Sequence, residues 1–335
     1  MIITYNFRIK DSTTRKRLNL LASAVNFTWN YCNDTSFNAI RNFSKFLSEF
    51  DLNNLMAGSS KELPPHSQTF QSISKEYVAR RKQSKKRKLR WRSYKKSLGW
   101  IPFKVSGIKL QGSEVVYGKT RFKFWKHREI EGRIKTGSFN QDSLGRWYLN
   151  LQCEVAIAEP KTEGETFGID LGLTENLTLS NGVKYIRENL TRSFEVKLAT
   201  VQRARKFRVA KRVHLKIKNK RKDWNHKVTR EIVKASKLVI MGDLNLPKTK
   251  SVYDASFSQI KGIFQYKAIR HGVAFKLVNE SYSTCTCSKC LERSGPRGLR
   301  GLSVREWVCS NCKTLHDRNV NAANIILRFG TESPT

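Results

Sequence analysis

The side chains best suited to chemistry lie in the last fifty residues, where two cysteine pairs precede a polar segment. Cys287-x2-Cys290 is followed, after eighteen residues, by Cys309-x2-Cys312. Zinc takes four ligands in a tetrahedron, and each pair of thiolates can hold one side of it. Four thiolates leave no open coordination position, so the spacing predicts a structural Zn²⁺. Cys285 could compete as a ligand or be a spare thiol, and we favour the spare thiol.

Three further segments accompany the cysteines in a fixed order along the chain. They are Gly168-Ile169-Asp170-Leu171-Gly172, Val239-Ile240-Met241-Gly242-Asp243-Leu244 and, after the cysteines, His316-Asp317-Arg318-Asn319-Val320-Asn321-Ala322-Ala323. Together with the cysteine pairs, this order resembles TnpB, the family of transposon-encoded, RNA-guided RuvC nucleases that is related to type V CRISPR effectors. The resemblance implies a guide RNA and a double-stranded DNA target with an adjacent motif as partners.

The family's three metal-binding acids can be matched to this chain one by one. The resemblance places the first acid at Asp170, the second at Gly242 and the third at Asn319, so only the first is present. Magnesium is a hard cation that requires anionic oxygen ligands, and two such ions clamp the attacking and leaving oxygens. Asp243 and Asp317 have counterparts beside the family's acids and do not look like replacements. We therefore expect a degenerate RuvC site without Mg²⁺, and a protein that is not an enzyme.

The function expected from this resemblance is RNA-guided, sequence-specific DNA binding without cleavage. Such a protein would repress transcription by occupying promoters, in indirect competition with RNA polymerase. One alternative is an active RNA-guided endonuclease that combines Asp170 with Asp243 or Asp317. The other alternative is a transposon-associated DNA-binding protein that uses no guide RNA.

The charge of the chain independently indicates a polyanionic partner. Sixty-four Lys and Arg stand against 27 Asp and Glu, a formal net charge of +37. A surplus of this size repels itself unless nucleic acid or another polyanion offsets it, and an anionic membrane is the weaker reading. No run of 18 apolar residues occurs, and the first residues lack a charged-then-apolar leader. We expect a prokaryotic, cytoplasmic, nucleoid-associated protein.

Two segments concentrate the basic charge. Residues 75–96 hold twelve Lys or Arg and one acid with interleaved aromatics, and residues 191–234 hold sixteen basic side chains and three acids. Basic groups neutralise phosphates and aromatic faces stack on bases, whereas the bland reading of 75–96 is a solvated linker. The predicted contacts to the nucleic-acid backbone are Arg80, Arg81, Lys85, Lys86, Arg87, Arg90, Arg203, Arg205, Arg208, Lys211, Arg212, Lys218, Lys220 and Arg221.

A short motif before the first basic segment is a candidate reader of the DNA flanking motif. Ser67, Gln68 and Gln71 resemble the family's Ser-Gln-x-apolar-Gln helix start. Glutamine can form two hydrogen bonds with adenine in the major groove. Ser67 could equally be a helix N-cap with both glutamines solvated.

The elements that must position these residues follow from hydrophobic periodicity. Alternation with a period of two predicts strands at 3–9 and within 99–155, helical spacing predicts helices from 12 to 47, and 50–65 reads as a loop. Strands and helices then alternate from 166, with a helix over 252–271 and a last helix over 320–329. The fold class is α/β multi-domain, with a β-barrel wedge domain, a helical-bundle insertion, and a RuvC (RNase H-like) mixed sheet that carries an inserted zinc ribbon. The expected boundaries are 1–10 and 97–160 for the wedge, 11–96 for the helical insertion, 165–281 and 314–330 for the RuvC-like domain, 282–313 for the ribbon and 331–335 for a tail.

Overall fold

A computed structural model describes residues 1–11, 15–243, 255–298 and 300–332. The chain divides into two compact units, Met1–Val155 and Ala156–Thr335. The predicted helix starts at Ser12 and Val252 lie outside the described residues. Within the described ranges, no helix combines the length and apolar character that a membrane crossing needs.

The first unit contains two antiparallel sheets. Its strands are β1 (Ile2–Arg8), β2 (Trp100–Lys104), β3 (Ile108–Gln111), β4 (Glu114–Tyr117), β5 (Thr120–Lys123), β6 (Arg133–Gln141) and β7 (Trp147–Glu154). One sheet has the order β1-β7-β6-β2 and the other β3-β4-β5, and an Ile9–Phe124 bridge joins them. The first strand thus returns to pair with the last, and the alternating apolar side chains Phe7, Phe139 and Leu149 are fully buried. Closure of the two sheets into a barrel stays a prediction.

The helices of the first unit lie between β1 and β2. They are α1 (Arg15–Phe43), α2 (Glu49–Leu55) and α3 (Ser67–Ser84). The expected loop over 50–65 is wrong at its start, because Ser48 and Asp51 form a capping box that begins α2. Each of these side chains accepts a hydrogen bond from the other's backbone N–H, which satisfies two amides at the start of the helix.

The second unit is built on a mixed sheet. Its strands are β8 (Glu165–Asp170), β9 (Leu177–Leu179), β10 (Lys184–Tyr185), β11 (Ser236–Gly242) and β12 (Ala274–Val278), in the order β10-β9-β8-β11-β12. The three strands β8, β11 and β12 are parallel, and β9 and β10 are antiparallel to their neighbours. Because carboxyl ends of parallel strands meet at one edge, that edge collects the residues that follow them.

Helices α4 (Leu190–Ser193), α5 (Glu195–Arg203), α6 (Phe207–Ala235), α7 (Phe257–Arg270) and α8 (Arg318–Glu332) complete the second unit. Helix α8 packs closely on β8, since a β-carbon on Gly168 would collide with the Ala323 carbonyl. The helix continues through Gly330, past the predicted end, and there a β-carbon would collide with Ile240. The absence of a side chain at Gly330 thus allows close packing and does not end the helix.

Between α7 and α8 lies the cysteine segment. Strands β13 (Glu306–Val308) and β14 (Leu315–Asp317) form an antiparallel hairpin whose connection carries the second cysteine pair. The end of β14 leads directly into α8, so the cysteine segment and the start of that helix are covalently adjacent.

Candidate metal centre and acidic centre

The four paired cysteines converge on one point. Cys287 Sγ lies 3.6 Å from Cys312 Sγ, and Cys290 Sγ lies 3.5 Å from Cys309 Sγ. All four sulfur atoms lie within 4.8 Å of one another. Zn–S bonds of about 2.3 Å in a tetrahedron place ligand sulfurs roughly 3.8 Å apart, so the donor set and its spacing fit zinc.

The backbone makes the same turn at both cysteine pairs. Leu291 N–H donates to the Cys287 carbonyl, and Lys313 N–H donates to the Cys309 carbonyl. Leu291 and Lys313, each directly after the second cysteine of its pair, adopt left-handed backbone with φ of 64° and 56°. Matching turns aim each pair of sulfur atoms at the same point.

The thiols of the cluster are electrostatically unequal. Hydrogen bonds, first that of the Ser294 hydroxyl, lower the pKa of Cys309 to about 6. Burial raises the pKa of Cys287 to about 12. A metal cation bound by the four sulfur atoms would hold both Cys287 and Cys309 as thiolates in spite of their different pKa values, because metal coordination deprotonates thiols outright.

Two further residues lie beside the cluster: Cys285, which the sequence already made a candidate, and His316, which it did not. Cys285 is buried outside the four, and its thiol lies 3.4 Å from the Tyr282 carbonyl, which favours the spare-thiol interpretation. His316 Nε2 lies 3.0 Å from Cys287 Sγ, a contact that the cysteine spacing alone did not predict. Its ring centroid lies 4.7 Å from that of Trp307, which positions the imidazole against the hairpin.

The first predicted acid lies at the carboxyl edge of the parallel strands. Asp170 ends β8 and is only 7% exposed. Among the described residues, none donates a hydrogen bond to its carboxylate. Burial first, and then the negative charges of Glu280, Glu175 and Asp317 against the opposing charge of Arg318, raise the pKa of Asp170 to about 7.

A second carboxylate lies at this edge, and the sequence-based reasoning missed it. Met241 pairs with Ile169 and Gly242 with Val278, so Asp170, Gly242 and the residues after β12 meet there. Glu280 follows β12 by two residues, and its Oε2 is buried without a hydrogen-bond partner. Burial raises the pKa of Glu280 to about 7.

The start of α8 carries the third matched position. Asn319 Nδ2 donates to Glu175 Oε2 at 2.7 Å. Asp317 Oδ1 accepts the backbone N–H groups of Asn319 and Val320 and so caps the helix. Lys184 Nζ lies 3.0 Å from Glu175 Oε1 and 2.6 Å from Asp317 Oδ2, which ties both carboxylates to one cation.

Four carboxylates therefore interact where sequence matching counted one of three acids: Asp170, Glu175, Glu280 and Asp317. Asp243 is a poorer candidate for metal binding, because its side chain is 61% exposed and pairs with Lys261 at 2.6 Å. Glu280 could have been found from the sequence by treating residues after every parallel strand, and not only after the matched ones, as candidates for the same edge.

Most of the predicted nucleic-acid contacts lie on the surface. Arg221 is half-buried, and all the others except Arg81 are exposed. Arg81 is 4% exposed, and its guanidinium donates to the Ser36 hydroxyl and, at 2.6 Å, to the Leu47 carbonyl. These internal hydrogen bonds hold Arg81 inside the first unit, so it is withdrawn from the predicted phosphate contacts.

The basic segment after α3 is fixed to α1 by two asparagines. Asn30 accepts from the Arg92 N–H and donates to the Arg92 carbonyl, and Asn33 does the same with Leu89. Trp91, between these two positions, is 53% exposed. The reading of this segment as a solvated linker is therefore wrong where the two clamps hold it.

At the start of α3, both glutamines of the motif form hydrogen bonds within the protein, but not all of the motif is buried. Gln68 Nε2 donates to Ser106 Oγ at 2.5 Å, and Gln71 Oε1 accepts from Lys104 Nζ at 2.8 Å. Ser67 and Gln71 are exposed, whereas Gln68 is half-buried. His66, not Ser67, caps the helix, because its ring nitrogen accepts the Gln68 N–H.

Comparison with known proteins adds an independent line of evidence. Residues 257–326 match the family described as the Cas12f1-like TNB domain. An RNA-guided DNA endonuclease of Streptomyces pristinaespiralis is 30% identical over 72% of this chain and 65% of its own length. The RNA-guided DNA endonuclease InsQ of Escherichia coli K12 is 24% identical over 67% of this chain and 64% of its own length. The chain thus spans just under two thirds of the length of these relatives.

A solved structure with the same fold is an RNA-guided complex. The structure described as the Cas12f1–sgRNA–target DNA complex aligns with a TM-score of 0.60 and 12% identity, over 94% of this chain and 82% of that chain. Identity this low shows the fold alone. The mixed α/β sheets and the cysteine cluster therefore belong to a known architecture.

These comparisons correct one prediction from the sequence. The expectation of a protein that is not an enzyme is contradicted, because both relatives are named as endonucleases. The inferred loss of cleavage rested on counting acids at matched positions, and the acidic centre contains carboxylates that this count omitted. Repression in competition with RNA polymerase depended on that loss and is not retained.

Proposed function

This chain is a TnpB-like protein, and from that premise we propose that it is an RNA-guided DNA endonuclease. The observation that carries the proposal is the acidic centre, in which the buried carboxylate of Asp170 lies in the electrostatic field of Glu280, Glu175 and Asp317. A buried acid that accepts no hydrogen bond is unfavourable for folding, and Asp170 accepts none from the described residues. The concentration of carboxylates at the carboxyl edge of a parallel sheet is therefore typical of a functional site.

The donor set fits Mg²⁺. The groups at this edge are carboxylate oxygens, the ligands that magnesium prefers, and Glu280 Oε2 is buried without a hydrogen bond. Asp170 and Glu280 would hold the cation, which would supply charge neutralisation for a phosphodiester under attack. The pKa of both carboxyls is raised to about 7, so both are partly protonated near neutral pH until a cation favours the ionised form.

The neighbouring groups keep the centre in place. Asp317 holds the first turn of α8 through two backbone N–H groups, and Lys184 holds Glu175 and Asp317 together. Asn319 orients Glu175 through its amide. These groups have positioning roles, because Asp317, Glu175, Asn319 and Lys184 form hydrogen bonds and ion pairs with one another. Asp170 and Glu280 are the carboxylates of the centre that take no part in these bonds.

The basic surfaces supply binding to nucleic acid. Along α5 and α6, the basic side chains named above are exposed, apart from the half-buried Arg221. Such side chains bind phosphates by releasing counterions, without reading sequence. The clamped segment that presents Trp91 adds an aromatic face on which a base can stack. Guide RNA and target DNA are the proposed ligands of these surfaces.

The Cys287, Cys290, Cys309 and Cys312 cluster is proposed to hold one structural Zn²⁺. Its four thiolates complete the tetrahedron, so no position is open for a reacting group. The metal would fix the hairpin β13–β14, whose last residue, Asp317, belongs to the acidic centre. Zinc would thus act on cleavage through position and not through chemistry.

We propose that Gln71 recognises a DNA motif beside the target. Gln68 is half-buried and is the less accessible of the two glutamines. Gln71 is exposed beside Lys104, so an amide that can pair with a base lies next to a cation that can bind a phosphate. Replacing Gln71 with Ala should weaken discrimination at one or two base pairs. Equal loss of binding on every flanking sequence would contradict the assignment, and Ser72→Ala is a nearby control because the Ser72 hydroxyl bonds only within its helix.

The test of the proposed function begins with the protein from its native host. RNA that copurifies is sequenced, matching DNA with randomised flanks is supplied with Mg²⁺, and the products are mapped. A discrete RNA with a variable guide end, and cleavage of the matching DNA, is the expected result. Binding without cleavage in Mg²⁺ and Mn²⁺ would overturn the enzymatic part, and absence of a discrete RNA would overturn guidance.

A further inference from the structure

Gly242 lies where the family resemblance places a glutamate, and the structure shows what fills the space beside it. A β-carbon built on Gly242 would collide with the carboxylate of Glu280 and would lie 3.0 Å from the Ile326 methyl. A side chain at 242 and the present position of Glu280 are therefore mutually exclusive. The glycine is a condition for the observed placement of Glu280.

Glu280 reaches this position from the neighbouring strand. Gly242 pairs with Val278 in the parallel ladder, and Asp243 N–H donates to the Val278 carbonyl at 2.8 Å. Glu280 comes two residues later, where the chain has passed the edge of the sheet. A carboxylate from β12 thus enters the volume beside the end of β11.

The surroundings of Glu280 do not balance its charge. Its Oε2 is buried without a hydrogen bond, while the nearby Lys261 Nζ bonds to Asp243 at 2.6 Å. Asp170, on which Glu280 exerts the largest effect of any charged group, is more than nine-tenths buried and has no hydrogen-bond donor among the described residues. Asp170 and the buried Oε2 of Glu280 accept no hydrogen bond from the described residues, and the charges of Lys261 and Arg318 do not cancel the rise in their pKa values, which indicates a cation site.

We propose that Glu280 is the second metal-binding carboxylate of this nuclease, transferred from β11 to β12 and accommodated by Gly242. The assignment rests on the proposed function for its catalytic meaning, but the metal site itself can be measured separately. Asp170 at the end of β8 and Glu280 after β12 flank the end of β11, and together they give the hard oxygen ligands that Mg²⁺ requires. Glycine at 242 then marks a relocated acid and not a lost one.

The experiment uses three variants of the full chain with its RNA. Glu280→Gln keeps the shape and removes the charge, and Gly242→Glu combined with Glu280→Ala returns an acid to β11. Glu332→Gln is the control, because it removes an exposed carboxylate paired with Arg328 at the opposite end of α8 from the acidic centre. Binding of Mn²⁺, followed by electron paramagnetic resonance, is the first readout, and cleavage of matched DNA in Mg²⁺ is the second.

Glu280→Gln should weaken Mn²⁺ binding on the order of tenfold to 100-fold and lower cleavage by roughly 100-fold or more. The double variant should recover much of both, and Glu332→Gln should change neither appreciably. RNA retention and the thermal midpoint show whether each variant is folded.

The outcomes separate the two proposals. If Glu280→Gln binds Mn²⁺ and cuts DNA as the unchanged protein does, the assignment of Glu280 is overturned and the endonuclease function stands. If the unchanged protein cuts no matched DNA but loses Mn²⁺ binding on Glu280→Gln, the metal site stands and the function is overturned.

Discussion

At the scale of single residues, the acidic centre is a compromise between folding and metal binding. Asp170 is buried against other carboxylates, and its pKa is raised to about 7. A carboxyl with a raised pKa holds its proton more tightly in the folded chain than in the unfolded chain. Its favourable contribution is therefore present at low pH and is lost as pH rises from the ordinary value of 3.8 to about 7.

Replacing Asp170 with Asn should consequently stabilise the metal-free protein above pH 7. The gain in the free energy of unfolding should shrink towards pH 4, where the aspartate is protonated in both states. For a unit the size of Ala156–Thr335, about 1 kcal/mol corresponds to a rise of roughly 2–4 °C in Tm. Thermal unfolding in a chelator at several pH values measures the effect, and Asp223→Asn is the control, because its exposed carboxylate pairs only with Lys227 among the ion pairs of the described residues. A lower Tm for Asp170→Asn at pH 8 would contradict the prediction.

At the scale of elements, the cysteine hairpin should depend on metal. Removing zinc should unfold the hairpin locally, because the apolar groups packed around the cluster, chiefly Trp307, are few. Cys309→Ser should lose the metal, whereas Cys285→Ser should keep one zinc per chain. Zinc content by atomic absorption decides this, and loss of zinc from Cys285→Ser would show that Cys285 is a ligand.

Also at the scale of elements, the basic helices α5 and α6 should determine how strongly RNA binding depends on salt. Replacing Arg208, Lys211 and Arg212 with Gln should reduce the salt dependence of RNA binding. Each lost phosphate contact lowers the slope of log K against log salt by about 0.7 for single strands. Filter binding between low and high salt measures the slope. Ala substitutions of the exposed neutral neighbours Gln202 and Asn219 should leave it unchanged, and equal slopes in both sets would contradict the proposal.

At the scale of the whole molecule, the net charge of +37 should govern stability without nucleic acid. The surface ion pairs are exposed, and pairs of this kind contribute about 0–1 kcal/mol each. Screening of the general repulsion should therefore outweigh screening of these pairs. The Tm of the RNA-free protein should rise between about 0.05 and 0.5 M KCl, and RNA should raise it at low salt. A fall in Tm with salt would show that the ion pairs dominate.

The sequence by itself determined the features that depend on local order. Cysteine spacing predicted the metal cluster, period-two alternation predicted β1 and β7, and four ordered segments indicated the family. The sequence-based prediction missed α2, because the capping box starts a helix in a segment whose composition is typical of a loop. It also placed Arg81 on the surface, because a charged residue gives no local sign that it is buried. Each correct feature could be recognised from residues close in the chain.

The tertiary structure alone decided what the acidic centre contains. Glu280 lies 38 positions from Gly242 and 110 from Asp170 in the sequence, and no local pattern connects them. They meet because β8, β11 and β12 are parallel neighbours whose carboxyl ends share one edge. Glu175 joins them through Asn319 and Lys184, from the turn before β9. Matching a motif position by position assumes that an acid stays on its strand, whereas a metal ion responds only to where the oxygen atoms lie.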